Sequence, residues 1–127
     1  MELLGKNIAT HKKSKGEEFT DLHAYDILLQ MLDSIEILHD KGYIHRDIKP
    51  TNFVIGIDGK KVYMVDFGLA KVHLDEKGTP IAPRLITEFR GTLSYASLNA
   101  HNRQVITLYK LIFFSHFHNY LLIFFRN

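Results

Sequence analysis

The amino-acid sequence predicts a small α+β protein, mainly helical with one β-hairpin. Apolar residues between positions 20 and 42 recur at intervals of three and four, which is the spacing of one helix face. Two apolar stretches flank Asp58-Gly59, a turn sequence, as in a hairpin. With 127 residues and no cysteine, the chain has room for one domain or part of one, without a disulfide framework.

The first nineteen residues predict no stable element. A short apolar start precedes the polar stretch "THKKSKGEE", which favours a loop or a frayed helix. We interpret the basic residues as solvated surface, because a net charge of +2 is too small to indicate a nucleic acid. No nucleic-acid partner is therefore expected.

The clearest element is a helix over residues 22–40. Thr20 is a suitable N-cap, Asp21 falls in the first turn, and Gly42 is a natural stop. The apolar face consists of Ala24, Ile27, Leu28, Met31, Ile35 and Leu38. This face could form a partner groove, but we expect it to face the core.

The hairpin follows a break at Pro50, which cannot continue a helix. Its predicted strands are Phe53–Ile57 and Lys61–Val65. Residues 69–90 carry Gly78, Pro80 and Pro83 and predict a long loop.

Four polar residues lie at the two ends of this hairpin. Asp47, Lys49 and Asn52 precede it, and Asp66 follows it. Because a hairpin returns its ends to one place, Asp47, Asn52 and Asp66 are expected to converge. A hydroxyl that attacks a phosphoryl group needs a base, cations on the phosphate, and oxygen ligands for those cations. We assign Asp47 as the base, Lys49 as a charge for the phosphate, and Asn52 and Asp66 as Mg²⁺ ligands.

These residues form two motifs in order, "HRDIKPTN" and "DFG", which resemble the catalytic loop and the metal-binding motif of protein kinases. The stretches "RDIKPTNFVIG", "VDFGLAK" and "GTLSYASLNAH" resemble the casein kinase 1 group, in which a sequence like Ser97-Leu98-Asn99 replaces A-P-E. The start "MELLGKN" and the stretch "QMLDSIEILHDKGYIHRDIKP" are most similar to its tau-tubulin kinase-like branch. The resemblance covers residues 1–104 and implies part of the large (C-terminal) lobe of a kinase domain.

The resemblance also implies roles for further residues. The backbone of Glu2 and Leu4 would bind adenine at the hinge, and Val54 and Val65 would line the adenine pocket. Three others would support the catalytic loop, with His45 and Phe67 stacked beneath the site and Thr92 bonded near Asp47 on the substrate platform. The implied cofactors are ATP and Mg²⁺, and the implied partner is a protein with a serine or threonine acceptor. The implied location is the cytoplasm, with the nucleus as the alternative.

The same resemblance indicates what these residues lack. The chain begins at the hinge, and no G-x-G-x-x-G loop or paired lysine occurs in it. After Gln104 the family continues into an acidic helix containing tryptophan, whereas residues 105–127 contain neither an acid nor tryptophan. We therefore expect kinase ancestry without turnover by this chain. The alternatives are a non-catalytic binding or regulatory fragment, or the product of an incorrect gene model.

The last residues form a tail that does not match the family. Residues 105–125 hold fifteen apolar residues in twenty-one, near the length of a membrane span. Lys110, His116 and His118 interrupt this stretch, so we do not expect a membrane partner. The pair His116-x-His118 has no Cys, Asp or Glu nearby and makes a poor metal site.

Overall fold

The computed structural model describes residues 4–15, 20–82 and 90–95 and confirms an α+β fold. The α-helices and strands, in chain order, are β1 (Leu4–Asn7), α1 (Ile8–Lys15), α2 (Asp21–Asp40), β2 (Tyr43–Ile44), β3 (Phe53–Gly56), β4 (Val62–Met64) and β5 (Lys71–Val72). Short 3₁₀ turns cover Pro50–Asn52, Phe67–Leu69 and Leu93–Tyr95. The predictions for Glu2, for Ser97-Leu98-Asn99 and for the tail over residues 105–127 lie outside the described residues.

Helix α2 confirms the strongest prediction. The Thr20 hydroxyl oxygen accepts a hydrogen bond from the His23 backbone N–H at 3.4 Å, which begins the helix as an N-cap does. Gly42 ends it with a φ of +82°, a conformation that glycine adopts without a steric penalty. Four residues of the predicted face are buried, and the other two are half-buried: Ala24, Ile27, Met31 and Ile35, then Leu28 and Leu38.

The hairpin forms two of the three strands of an antiparallel sheet with the strand order β1-β3-β4. Its residue pairs are Phe53–Met64, Val54–Tyr63 and Ile55–Val62. Side chains alternate between the faces of a strand, so Phe53 and Ile55 enter the core beside α2 while Val54 lies on the opposite face. The strands are shorter than predicted because the loop is wider, with the Asp58 carboxylate accepting hydrogen bonds from the backbone of Lys60 and Lys61.

The structure corrects the predictions for the two segments outside this core pattern. The first nineteen residues are predicted as loop or frayed helix. Residues 4–15 form strand β1, which was not predicted, and helix α1, which agrees with the helical alternative. The Asn7 side chain caps α1 by accepting from the Thr10 N–H at 2.8 Å. The predicted loop over residues 69–90 contains β5, which pairs with β2. Both strands of this pair have two residues, too few to show a local alternation.

The core lies between α1, α2 and the inner face of the sheet. Its buried members are Ile8, Ile27, Met31, Ile35, Phe53, Ile55 and Val62. Within residues 4–15, 20–82 and 90–95, no helix combines the length and the apolar character needed to cross a membrane.

We predict that Met31→Ala destabilises the protein by about 2–5 kcal/mol, because it removes a buried side chain and leaves a cavity. Met31 is 1% exposed, whereas Leu29 on the same helix is 60% exposed. Leu29→Ala is the matched control and should change the free energy of unfolding by about 0.5 kcal/mol or less. Urea unfolding of both variants measures the difference, and equal losses would contradict the observed packing of α2.

Candidate active site

The polar residues of the site lie on the loop between β2 and β3. Arg46 precedes Asp47 with a φ of 68°, and Asp66 follows β4 with a φ of 63°. Left-handed backbone costs a residue with a side chain roughly 1–2 kcal/mol, so surrounding contacts must hold both residues in place. The Arg46 guanidinium donates to the Leu69 carbonyl, and the Asp66 carboxylate accepts from the Gly68 N–H. The strained backbone therefore lies at Asp66 itself and directly before Asp47, two residues for which the sequence predicts a role in the site.

The Asp47 carboxylate is 9% exposed and is the most densely bonded group of the site. Its Oδ1 accepts from the backbone N–H of Thr92 at 2.9 Å and from the Thr92 hydroxyl at 2.8 Å. Its Oδ2 pairs with Lys49 Nζ at 2.7 Å and accepts from Asn52 Nδ2 at 3.2 Å. Lys49 also donates to the Thr92 hydroxyl at 3.0 Å, which closes the network. The structure thus brings Asp47, Lys49, Asn52 and Thr92 into direct contact.

These donors set the charge state of Asp47. Burial would raise the pKa of Asp47, but the hydrogen bonds from Lys49 and Thr92, the Lys49 charge and the bond from Asn52 outweigh it. The pKa of Asp47 is therefore held below its ordinary value. The carboxylate is ionised at neutral pH, as a proton acceptor must be.

Asn52 and Asp66 are joined through the backbone of the hairpin. The Val65 N–H donates to the Asn52 carbonyl at 2.9 Å, so Asp66 directly follows the residue that is bonded to Asn52. Asn52 Nδ2 is turned toward Asp47, where it also donates to the backbone carbonyl at 2.8 Å. Asn52 Oδ1 accepts no hydrogen bond from the described residues, and the Asp66 side chain is exposed. No hydrogen bond within these ranges joins the Asp66 carboxylate to Asp47 or Asn52.

The oxygens of Asn52 and Asp66 fit the ligand preference of Mg²⁺, which takes carboxylate and amide oxygens. Among residues 4–15, 20–82 and 90–95, no group of three or more His, Cys, Asp or Glu forms a metal cage. Mg²⁺ usually keeps several waters and is held by one or two protein carboxylates together with substrate phosphates. Asn52 and Asp66 would therefore suit a metal that arrives with a nucleotide better than a structural metal.

His45 is buried, with 1% of its surface exposed, and supports the loop that carries Asp47. Its Nδ1 accepts from the Asp47 backbone N–H at 3.3 Å, so Nε2 carries the hydrogen and donates to the Val65 carbonyl at 3.1 Å. The ring lies 5.4 Å from that of Phe67, centroid to centroid. His45 thus joins the loop that carries Asp47 to the segment that leads into Asp66.

The proposed adenine-side residues lie on neighbouring strands. Leu4 pairs with Gly56 at the end of β1, Val54 lies on the face of β3 opposite the core, and Val65 follows β4. Leu4 is 37% exposed, and Val54 and Val65 are half-buried. These side chains therefore leave an accessible apolar surface on the sheet.

Comparison with known proteins decides the family. The sequence profile of the protein kinase domain matches residues 1–106. The chain belongs to the protein kinase family. A probable serine/threonine-protein kinase of Dictyostelium discoideum is 41% identical over 105 residues, which cover 80% of this chain and 21% of that protein. The chain thus spans about a fifth of the length of this relative.

Two residues of this kinase site were not assigned by sequence reasoning. Arg46 bonds to Leu69, and burial followed by the nearby Arg90 charge lowers the pKa of its guanidinium. Gly91 has a φ of +108°, and a Cβ built on it would lie 2.5 Å from the Arg46 carbonyl oxygen. The position of Gly91 directly before Thr92 was the available signal, because a close backbone approach requires glycine.

We predict that Gly91→Ala detaches Thr92 from Asp47, because the added methyl group would displace backbone rather than a flexible side chain. Gly59→Ala is the matched control, since Gly59 also has a positive φ of +70° but nothing lies within 4 Å of the position that its methyl group would take. Gly59→Ala bears only the left-handed backbone penalty of about 1 kcal/mol, whereas Gly91→Ala, at a φ of +108° and against the Arg46 carbonyl, should lose substantially more stability. Urea unfolding and the NMR shift of the Thr92 amide measure the effect, and identical behaviour of the two variants would count against it.

We predict a specific acid dependence for the Asp47 network. The pKa of Asp47 is lower in the folded protein than in the unfolded chain, where it is about 4. The ionised carboxylate therefore stabilises the folded protein above about pH 4, and this stabilisation is lost as the pH falls through the pKa of the folded state. The difference in unfolding free energy between the native protein and Asp47→Asn should therefore shrink as the pH falls from about 6 to about 2. The pKa of Asp58 is also lowered, but Asp58 is present in both proteins, so its contribution cancels in the difference between their unfolding free energies. A difference that is independent of pH would mean that the Asp47 charge contributes nothing.

Proposed function

We propose that this chain forms the catalytic loop and metal-binding face of a kinase that transfers phosphate from ATP, with Mg²⁺, to serine or threonine in proteins. The observation that carries the proposal is the closed network around Asp47. Lys49, Asn52 and Thr92 converge on one buried carboxylate, although Thr92 is 45 residues away along the chain. A purely structural loop would not require a lysine, an amide and a threonine on one carboxylate.

Asp47 is the proposed general base. It orients the acceptor hydroxyl and takes its proton as the oxygen attacks the phosphoryl group. In the present arrangement both carboxylate oxygens already accept two donors each. A carboxylate has about four acceptor positions, so one donor must leave before a substrate hydroxyl can bind.

Lys49 is the donor that is suited to leave. Its side chain is flexible and 23% exposed, whereas one of the Thr92 donors is a backbone N–H. When the Lys49 ammonium turns from Asp47 Oδ2 to a phosphate oxygen, it neutralises charge there and vacates a position for the hydroxyl. Lys49 thereby couples the binding of phosphate to the availability of the base.

Asn52 and Asp66 are the proposed Mg²⁺ ligands, and the ion would supply charge neutralisation on the phosphate oxygens. The contact from Asn52 Nδ2 to Asp47 leaves Oδ1 for the metal and fixes which way the amide points. Leu4, Val54 and Val65 offer the apolar surface for adenine, and the hinge role of Glu2 is part of the same proposal. The location, cytoplasm or nucleus, stays a prediction.

The finer placement rests on the sequence motifs. "RDIKPTNFVIG" and "GTLSYASLNAH" support membership of the casein kinase 1 group and its tau-tubulin kinase-like branch, within a large lobe over residues 1–104. The relative from Dictyostelium discoideum is named a probable serine/threonine-protein kinase, which supports the acceptor class.

We further propose that the 127 residues alone bind nucleotide weakly and do not turn over. Catalytic groups of this kind act as a unit, and no residues of this chain correspond to the loop and lysine that grip the nucleotide from above. A radiolabelled-ATP assay with a serine/threonine substrate tests this point. Incorporation that disappears in Asp47→Ala would overturn this point and show that the chain itself transfers phosphate.

We predict that Mn²⁺·ATP broadens the amide NMR signals of Asn52, Asp66 and Phe67 and that Asp66→Asn weakens this binding by about tenfold or more. Asp33→Asn is the control, because Asp33 is an exposed carboxylate on α2 and not on either end of the hairpin. Broadening that is absent, or that is equally sensitive to Asp33→Asn, would remove the basis of the proposed metal site.

A further inference from the structure

The end of the hairpin next to its turn is hydrogen-bonded to helix α2 through the side chain of Gln30. Strand β4 is an edge of the sheet, so its outer backbone groups have no strand partner in the order β1-β3-β4. Gln30, on α2, occupies that position. Its Nε2 donates to the Lys60 carbonyl at 2.9 Å, and its Oε1 accepts from the Val62 N–H at 2.9 Å.

The two contacts of Gln30 flank Lys61, as the N–H and C=O of one residue in an adjacent parallel strand would. The orientation of the amide is determined by Asp26, one turn earlier on α2, whose carboxylate can only accept. Gln30 Nε2 donates to Asp26 Oδ2 at 3.0 Å, so its oxygen must face Val62. Asp26 thus presents the Gln30 amide to β4 in the one orientation that satisfies both backbone groups.

The hydrogen bonds of Gln30 give the interface between α2 and the hairpin a defined register, which its apolar packing does not. Val62 packs against the core beside Met31 and Ile35, but hydrophobic contact is non-directional and tolerates sliding. Strand β4 has only three residues, and a slip of one residue would exchange its two faces and move Asp66 by about 3.3 Å. The hydrogen bonds from Gln30 are specific for Lys60 and Val62 and define one position of β4 along α2.

We propose that Gln30 is a positioning residue for the metal site, because it holds β4 in the register that keeps Asp66 beside Asn52. It acts through the hairpin backbone, by way of Val62 at one end and the Val65 to Asn52 hydrogen bond at the other. The inference rests on the proposed function to the extent that Asn52 and Asp66 are the metal ligands.

The variant that tests it is Gln30→Met, which keeps the length and helix preference of the side chain and removes the amide. Hydrogen exchange is measured at the Val62 and Val65 amides, with the buried α2 amides of Met31 and Ile35 as the reference. We expect exchange about tenfold faster at both Val62 and Val65, with the reference amides unchanged. Faster exchange at Val62 alone would mean that Gln30 only covers an edge, which overturns the inference.

The affinity for Mn²⁺·ATP, measured on the full 127-residue chain, supplies the functional comparison. We expect Gln30→Met to weaken it about tenfold and Asp26→Asn, which keeps an acceptor for Nε2, to leave it near the native value. Ser34→Ala is the matched control, since the Ser34 hydroxyl bonds to the Gln30 carbonyl on the same helix. If Gln30→Met does not fold, Gln30→Glu replaces it, because the carboxylate keeps the acceptor for Val62 and loses the donor to Lys60.

The outcomes separate the two proposals. If Gln30→Met binds Mn²⁺·ATP with the same affinity as the native chain, the positioning role is overturned and the proposed function stands. A native chain that binds no Mn²⁺·ATP at Asn52 and Asp66 overturns both.

Discussion

A buried carboxylate is the constraint on which this site depends. Asp47 lies in a loop with little access to water, and an ion there must be paired or hydrogen-bonded. Its partners come from the same loop, Lys49 and Asn52, and from Thr92 far along the chain. The need to satisfy one charge thus folds the segment around Thr92 back onto the loop. Because both the backbone N–H and the hydroxyl of Thr92 donate to Asp47, the contact fixes the position of Thr92 as well as stabilising the charge.

The close approach of these two segments depends on the absence of a side chain. Gly91 lies against the Arg46 carbonyl, where a Cβ would be only 2.5 Å away. Arg46 itself has left-handed backbone, which turns the chain so that Asp47 points toward Thr92. Glycine at one side and strained backbone at the other are therefore two parts of one arrangement. Strain next to a buried charge is typical of functional loops, because only surrounding contacts can maintain it.

The hairpin combines two kinds of contact with different consequences. Phe53 and Ile55 bury apolar surface in the core that they share with residues of α2, which stabilises the association without determining its register. Gln30 and the Val65 to Asn52 bond are directional, and each is specific for its partner atoms. Apolar packing keeps the hairpin on the helix, and the polar contacts determine where along the helix it lies. This division explains why polar side chains occur beside an otherwise apolar interface.

The sequence by itself determined the features that depend on local patterns. The 3.6-residue period and the Thr20 cap predict α2, the turn residues predict the hairpin, and the motifs around Asp47 and Asp66 identify the kinase family. The tertiary structure alone decided the contacts between distant segments. The β2–β5 pair, the bond of Gln30 to β4 and the fit of Gly91 against Arg46 each join residues whose spacing along the chain has no period. Short strands and single hydrogen bonds leave no local pattern, because their partners are chosen by how the whole chain packs.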